Sequence, residues 1–569
     1  MLKKSLVSLA VVFSLSQITA CSSDDDKIEF LATDIQLSVN DITENQAGAV
    51  VGTLVLSNTD DVTLGETTVD DERFEIVDNQ LKLKDAVALN YEMASSVDLT
   101  LTVAYNQTES HNLALNVPVI DVLDTYSFVS SGSDESSVSY SGQTARHILI
   151  SELNNYIASD LMTDLQNGTL TTSEQVYDKL MSFYETTDSD YDLSLGEQVL
   201  TTTTTPGSKQ NTLKDISSST KDLNGKIAGN DSTGQHQDWS TEFVAFGAKG
   251  TESPEELIKD LITEIADNAE VYLNGATRND PLNNEISQIY VTSTGLDLKQ
   301  LIQKTLLGAV AFSQGTDDYL DNDIDGKGLN ADNSKLVDGK TYTNLEHQYD
   351  EGFGYFGAAR DYLDYSDAEI ASKGGRDDWQ GYHDTNGDGE IDFKSEYNFG
   401  HSTNAAKRDL GTADNTAATD FTALAMNAFL QGRKIITDAN ATALTETQMT
   451  ELLAQRDIAV ANWEKSIAAT AVHYINDVTG DYDAWGTDGF SFSDLAKHWS
   501  ELKGFLISLQ FNPHSPLTTE QLIEINTLIG DKPVLSNDDA IADYLGELAM
   551  ARTKLAEAYE FDATNVENW

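Results

Sequence analysis

TARHILISELNNYI, residues 144–157, is where the chain changes its rhythm. Ile148, Leu149, Leu153 and Ile157 recur at helical spacing, which gathers them into one apolar stripe. Downstream, similar stripes run through 254–273, 296–312, 420–436, 446–478, 492–509, 518–528 and 538–559. Ser253 before Pro254 marks a helix start by side-chain capping and a pre-set first turn. Strand signals are sparse in this part, so residues 124–569 read as a large all-α helical-bundle domain. A loop at 201–238, with a threonine run, Pro206 and scattered glycines, interrupts it. Upstream the period is two. The runs IQLSV (35–39), VVGTLVL (50–56), FEI (74–76), LKL (81–83), VDLTLTV (97–103) and LALNV (113–117) predict an all-β antiparallel sandwich over 28–123. A chain of 569 residues is in any case too long for one ordinary core, and it reads as multidomain.

The balance of 94 acidic against 35 basic residues gives a formal charge of −59. That charge repels nucleic acid and anionic lipid head groups, so no nucleic-acid partner is expected. It favours cations, basic partners or a saline external medium, although a solvated acidic surface accounts for it equally. Cys21 is the single cysteine, which excludes an intramolecular disulfide and a cysteine metal site.

Residues 344–365, NLEHQYDEGFGYFGAARDYLDY, carry the densest chemistry. On a helix of about six turns, His347 would share a face with Asp350 and Glu351, with Glu346 alongside. One imidazole and two carboxylates can hold a divalent cation, iron or zinc among them. Gly352, Gly354 and Gly357 follow; three helical glycines cost roughly 2–3 kcal/mol relative to alanine, so either something packs closely there or the helix breaks. His498 and Glu501 repeat the His-x-x-acid spacing, and two such pairs on facing helices could form one site. A satisfied or surface histidine is the alternative for each.

Two acidic loops flank this stretch. Asp384, Asn386, Asp388, Gly389, Glu390 and Asp392 follow the order of an EF-hand-type calcium loop, with Ser395 at the twelfth position and Glu396 one residue later. Alternate oxygens would point inward, Glu390 would offer its carbonyl, and calcium is the expected ion. The loop at 321–332 is a weaker version, with Asp321, Asp323, Asp325 and Asp332, the Lys327 carbonyl, and Leu329 at the ninth position. Asx-rich turns without a metal are the alternative for both.

Several of these segments resemble known families. Residues 1–20, with Lys3, Lys4, an apolar run over 6–15 and Ile18-Thr19-Ala20 before Cys21, resemble a bacterial lipoprotein signal peptide. The apolar run is too short to span a bilayer. The resemblance implies acylation of Cys21, a membrane anchor and an acidic tether over 21–27. With Ser22 next, it also implies the outer membrane of a Gram-negative bacterium, on the periplasmic or the cell-surface side. In the β region, Glu44-Asn45, Gly52-Thr53, Phe74-Glu75-Ile76, Leu81-Lys82-Leu83, Leu89-Asn90-Tyr91-Glu92 and Val119-Ile120-Asp121-Val122 resemble one cadherin-like repeat. That family's calcium ligands match Glu44, Glu92 and Asp121, while Asn90 replaces an aspartate.

The helical part is similar to the imelysin-like group, through Tyr140-Ser141-Gly142-Gln143-Thr144-Ala145-Arg146, the run from Glu346 to Gly357, and the segment 396–409. His347 and Asp350 match the histidine and acid of that group's Gly-x-His-x-x-Glu motif, with Leu345 in place of the glycine. This resemblance implies a two-bundle protein active in iron or other metal uptake, with an outer-membrane receptor or metal-bearing protein as partner, or else an insulin-cleaving type of metallopeptidase. No His-Glu-x-x-His and no Gly-x-Ser-x-Gly occurs, so a binding protein is expected before an enzyme. Calcium-dependent surface adhesion stands second and peptidase third.

Overall fold

In the computed structural model, residues 30–91, 94–231, 235–412 and 418–569 are described. The chain divides into a unit ending at Val122 and a second unit, Leu123–Trp569. The signal-like segment 1–20, Cys21, the acidic segment 21–27 and Glu92 lie outside the described residues.

The period-two runs become strands β1 (Ile35–Leu37), β2 (Ile42–Thr43), β3 (Val50–Leu56), β4 (Leu64–Val69), β5 (Phe74–Val77), β6 (Gln80–Leu83), β7 (Ser96–Tyr105) and β8 (Glu109–Ile120). They form two four-stranded sheets, ordered β1-β3-β6-β5 and β2-β8-β7-β4. Alternation decides the buried face: Val97, Leu99, Leu101 and Val103 of β7 point into one apolar core with Val51, Leu81, Leu83 and Val117. β2 joins β8 in parallel, whereas the other pairings are antiparallel. Glu44 does not face outward as a calcium ligand would. It is buried, and its carboxylate oxygens accept the backbone N–H groups of Tyr91 and Val122, each at 2.6 Å. A carboxylate taken out of water needs such donors, and here the strand ends supply them.

The second unit is helical. Its helices of nine residues or more are α1 (Ser141–Asn155), α2 (Ser173–Tyr184), α3 (Pro254–Leu273), α4 (Leu298–Leu306), α5 (Asn344–Phe356), α6 (Gly400–Leu410), α7 (Phe421–Asp438), α8 (Glu446–Asp483), α9 (Phe492–Ser508), α10 (Thr519–Ile529) and α11 (Asp538–Tyr559). Ser253 caps α3 in a reciprocal pair with Glu256, with Pro254 in the first turn. The 38-residue α8 runs roughly 57 Å at about 1.5 Å per residue and packs against α6, α7, α9 and α11. Residues 466–472 of α8 are buried without a break, so other elements enclose this helix on all sides. From α11, Tyr559 donates its hydroxyl to the buried Glu464 of α8 at 2.6 Å.

The stripe expected at 296–312 is not a uniform helix. α4 runs on into π-helical turns at Leu307–Phe312 and Gly315–Tyr319, where glycines let neighbours approach. A Cβ on Gly308 would meet Ser508 Oγ at 2.2 Å, and one on Gly315 would meet the Trp463 ring at 2.6 Å.

Candidate functional site

α5 starts on a reciprocal cap. Thr343 Oγ1 accepts the Glu346 N–H at 3.1 Å, and Glu346 Oε2 accepts the Thr343 N–H at 2.8 Å. The helix is shorter than the six turns expected of 344–365, because it stops at Gly357 in the left-handed region, φ +83°. The two glycines before it are there for packing. A Cβ on Gly352 would come within 2.6 Å of Leu320, and one on Gly354 within 2.8 Å of Tyr140.

The face expected to unite His347, Asp350 and Glu351 is split. At about 100° per residue, positions three and four ahead fall on opposite sides of His347. Asp350 turns inward, where its Oδ1 accepts Arg433 Nε at 2.7 Å and the Tyr126 hydroxyl at 2.9 Å. Asp350 Oδ2 accepts the Ser139 N–H at 3.0 Å. Arg433, from α7, also donates to Glu346 Oε1 at 2.9 Å and to Ser137 Oγ at 2.8 Å. Arg433, Asp350, Glu346 and Tyr126 are all buried. Burial opposes the Arg433 charge, but Asp350, Tyr126 and Glu346 more than restore it, and the guanidinium is held above its ordinary range. Two carboxylates compensate this charge and the Ser137 and Thr437 hydroxyls take its remaining N–H groups, which makes the cluster structural. Arg433 escapes a reading of the sequence because its partners lie 83 and 87 positions away.

His347 and Glu351 remain together at the surface. His347 Nε2 lies 3.8 Å from Glu351 Oε2, its Nδ1 is 3.0 Å from the Ser139 carbonyl oxygen, and its ring stacks on Tyr342. Glu351 Oε1 accepts Gln143 Nε2 at 3.0 Å. The second pair sits elsewhere: His498 Nδ1 meets Asp481 Oδ2 at 2.8 Å, and Glu501 lies 3.5 Å from Lys304 Nζ. α5 packs mainly on α1, α7 and the π turns, and α9 on α4 and α8, so the two pairs do not share one site. Among the described residues, no three His, Cys, Asp or Glu side chains are drawn together as a metal-ligand set.

The loop at 384–396 has the more ordered geometry. Asp384 accepts the N–H groups of Asp388 and Gly389 at 3.0 and 2.8 Å, and Asn386 Oδ1 accepts the Asp388 N–H at 2.8 Å. Glu396 closes the loop by accepting Asn386 N–H and Asp392 N–H at 3.3 and 2.7 Å. The segment around 208 lies alongside: Ile391 donates to Gly207 O and Lys209 to Ile391 O, both at 2.9 Å, and Gln210 bonds both Asp392 and the Phe393 N–H. Lys209 Nζ stands 3.5 Å from Asp388 Oδ2 and 3.8 Å from Asp392 Oδ2. Nearby Asp361, which accepts Thr385 Oγ1 at 2.6 Å, is pushed up to about 7 by burial and by the Asp364 and Glu396 charges.

The loop at 321–332 is arranged differently. Asp321 Oδ1 lies 3.9 Å from Arg456 Nη1 and 3.4 Å from His514 Nε2, outside the loop, while its Oδ2 accepts the Asp323 N–H at 3.2 Å within it. Asp332 Oδ1 caps the Ser334 N–H at 2.8 Å.

No curated protein and no solved structure matches this chain. The β region lies outside the one stretch that a family model covers, and that stretch takes in the Arg433 cluster and both acidic loops. Residues 124–532 match the family described as domain of unknown function (DUF4856), and the chain belongs to that family.

Proposed function

We propose that this protein is a lipid-anchored envelope lipoprotein whose helical domain binds Ca²⁺ through the loop 384–396. The observation that carries the reading is the position of the Lys209 ammonium between Asp388 and Asp392. The loop already gathers carboxylates around a positive charge. Asp384, Asn386, Asp388, the Glu390 carbonyl and Asp392 would hold the ion, with Glu396 fixing the loop. Weak affinity suffices in a calcium-rich external medium.

Transition-metal uptake through His347 and Glu351 is the second reading, supported by the imelysin-like resemblance and by the 3.8 Å approach of the two side chains. The cadherin-like β region would then act as a spacer from the membrane.

Terbium luminescence tests the first reading. Trp379 stacks on His383 at 4.0 Å, next to Asp384, and can sensitise an ion in the loop. Terbium emission that calcium displaces, and that Asp388→Ala abolishes, is expected. Emission unchanged in Asp388→Ala would sink the proposal.

A further inference from the structure

In so acidic a protein, one cavity has only basic side chains among the ionisable groups that line it. A pocket of about 450 Å³ opens between the last turn of α6 and the middle of α8. Lys373, Lys407, Arg408 and His473 line it together with Tyr474 and Trp569, and none of the described residues lining it is acidic. Local sequence explains the cluster: Lys407 and Arg408 end α6, where cations complement the helix dipole. The Trp569 indole pins that turn by donating to the Arg408 carbonyl oxygen at 3.1 Å.

Arg408 is the anomaly. It is only 8% exposed, yet none of its side-chain nitrogens meets a hydrogen-bond acceptor or a carboxylate among the described residues, and its Nε is fully enclosed. Contrast Arg433, buried completely, with its charge met by Asp350 and Glu346. His473, beside Arg408, is pushed down to about 3 by burial and then by the Arg408 charge, and it leans on the Trp569 backbone. The nearest acids have closer neighbours than Arg408: Asp477 lies 3.3 Å from His473 Nε2, and Glu501 Oε1 lies 3.5 Å from Lys304 Nζ. Lys407 reaches the rim, where desolvation and then the Lys304 and Arg408 charges push its ammonium down to about 8. Such crowding of like charges is what a bound anion relieves.

We propose that this pocket binds a small oxyanion, a phosphate- or carboxylate-bearing molecule held by Arg408 and flanked by Lys407 and Lys373. A planar guanidinium suits two parallel hydrogen bonds to such a group. The Tyr474 and Trp569 rings give the rest of the molecule an apolar wall, and the volume is within the range of small-molecule sites. Long-range repulsion by the acidic surface is screened beyond about 8 Å at physiological salt, so the local cations dominate.

Isothermal titration of the full chain with inorganic phosphate, and separately with citrate, tests the site. One-to-one binding of either ion supports it, and the preference between them separates a phosphoryl from a carboxylate ligand. Arg408→Gln should weaken binding by about 10-fold or more, which is the size of one lost charge-assisted contact. Lys407→Glu reverses a rim charge without touching the core, so it remains informative if Arg408→Gln fails to fold, and a similar loss is expected. Binding of neither ion at millimolar concentration, or unchanged affinity in folded Lys407→Glu, overturns the proposal.

Discussion

Arg433 Nε and Asp350 Oδ1 meet at 2.7 Å in a position where neither side chain has any exposure to solvent. The pair joins α5 to α7, and Tyr126 and Ser139 complete it from the segment before α1. Removing one partner of the pair strands the other, whereas removing both leaves only the Glu346 carboxylate, which keeps the Thr343 N–H. Asp350→Asn is therefore expected to cost about 3–5 kcal/mol in urea unfolding. A double change to Asp350→Leu and Arg433→Met should cost clearly less than the sum of the singles. Additive losses would show that the two groups act independently.

Gly432, beside Arg433, is the closest approach between the same helices. A Cβ there would fall 2.0 Å from the Tyr349 hydroxyl oxygen, which itself donates to the Ala428 carbonyl at 3.3 Å. In Gly432→Ala overpacking should outweigh the gain of about 1 kcal/mol from helix propensity, for a net cost of about 1–2 kcal/mol. Tyr349→Phe in the same chain should return part of the loss. A melting temperature unaffected by Gly432→Ala would refute the contact.

Two buried histidines should make the helical domain sensitive to mild acid. Trp463 Nε1 donates to His401 Nδ1 at 2.8 Å, so the His401 proton sits on Nε2, which is buried with no partner. Burial, and then the His147 and Lys304 charges, push His401 down to about 3, and burial pushes His147 down to about 4. Both folded values lie below the ordinary 6.5, so the unfolded chain binds more protons in this interval. The stabilisation is complete above about pH 6.5 and is lost as pH falls toward the folded values, on the order of 2 kcal/mol per histidine by pH 5. His401→Gln keeps an acceptor for Trp463 and should flatten the decline of urea midpoints between about pH 7 and pH 5. Parallel declines in both proteins would remove His401 from the account.

At the calcium loop, Lys209 is a built-in competitor. Its ammonium is half exposed and stands 3.5 Å from Asp388. Lys209→Met should tighten Ca²⁺ by roughly 3- to 10-fold, the scale of one partly screened ion pair. Competition against terbium measures it, and a weaker ion in the variant would argue against a shared locus.

The change from period two to helical spacing between 117 and 144 was enough to divide the chain, because burial alternates along a strand and recurs along a helix. The sequence also made legible the His347–Glu351 approach and the capping of α3. It did not reveal which way Asp350 turned. That depended on Arg433, a residue no local pattern links to it. The π turns after α4 were hidden for a related reason: Gly308 and Gly315 answer to Ser508 and Trp463, far along the chain. Nor does any local pattern show that Arg408, at the end of α6, is enclosed beneath Trp569.

The family match ends at residue 532, but α8 does not finish its packing there. α11 lays Leu548, Ala551, Leu555 and Tyr559 into the same interior, all of them buried, and Tyr559 supplies a donor to Glu464. A fragment trimmed to the matched boundary would expose that flank of α8 and leave a buried carboxylate short of one donor. The portion that can be expressed as an independent folded piece is therefore longer than the portion that sequence comparison delimits, and cloning limits should follow the packing.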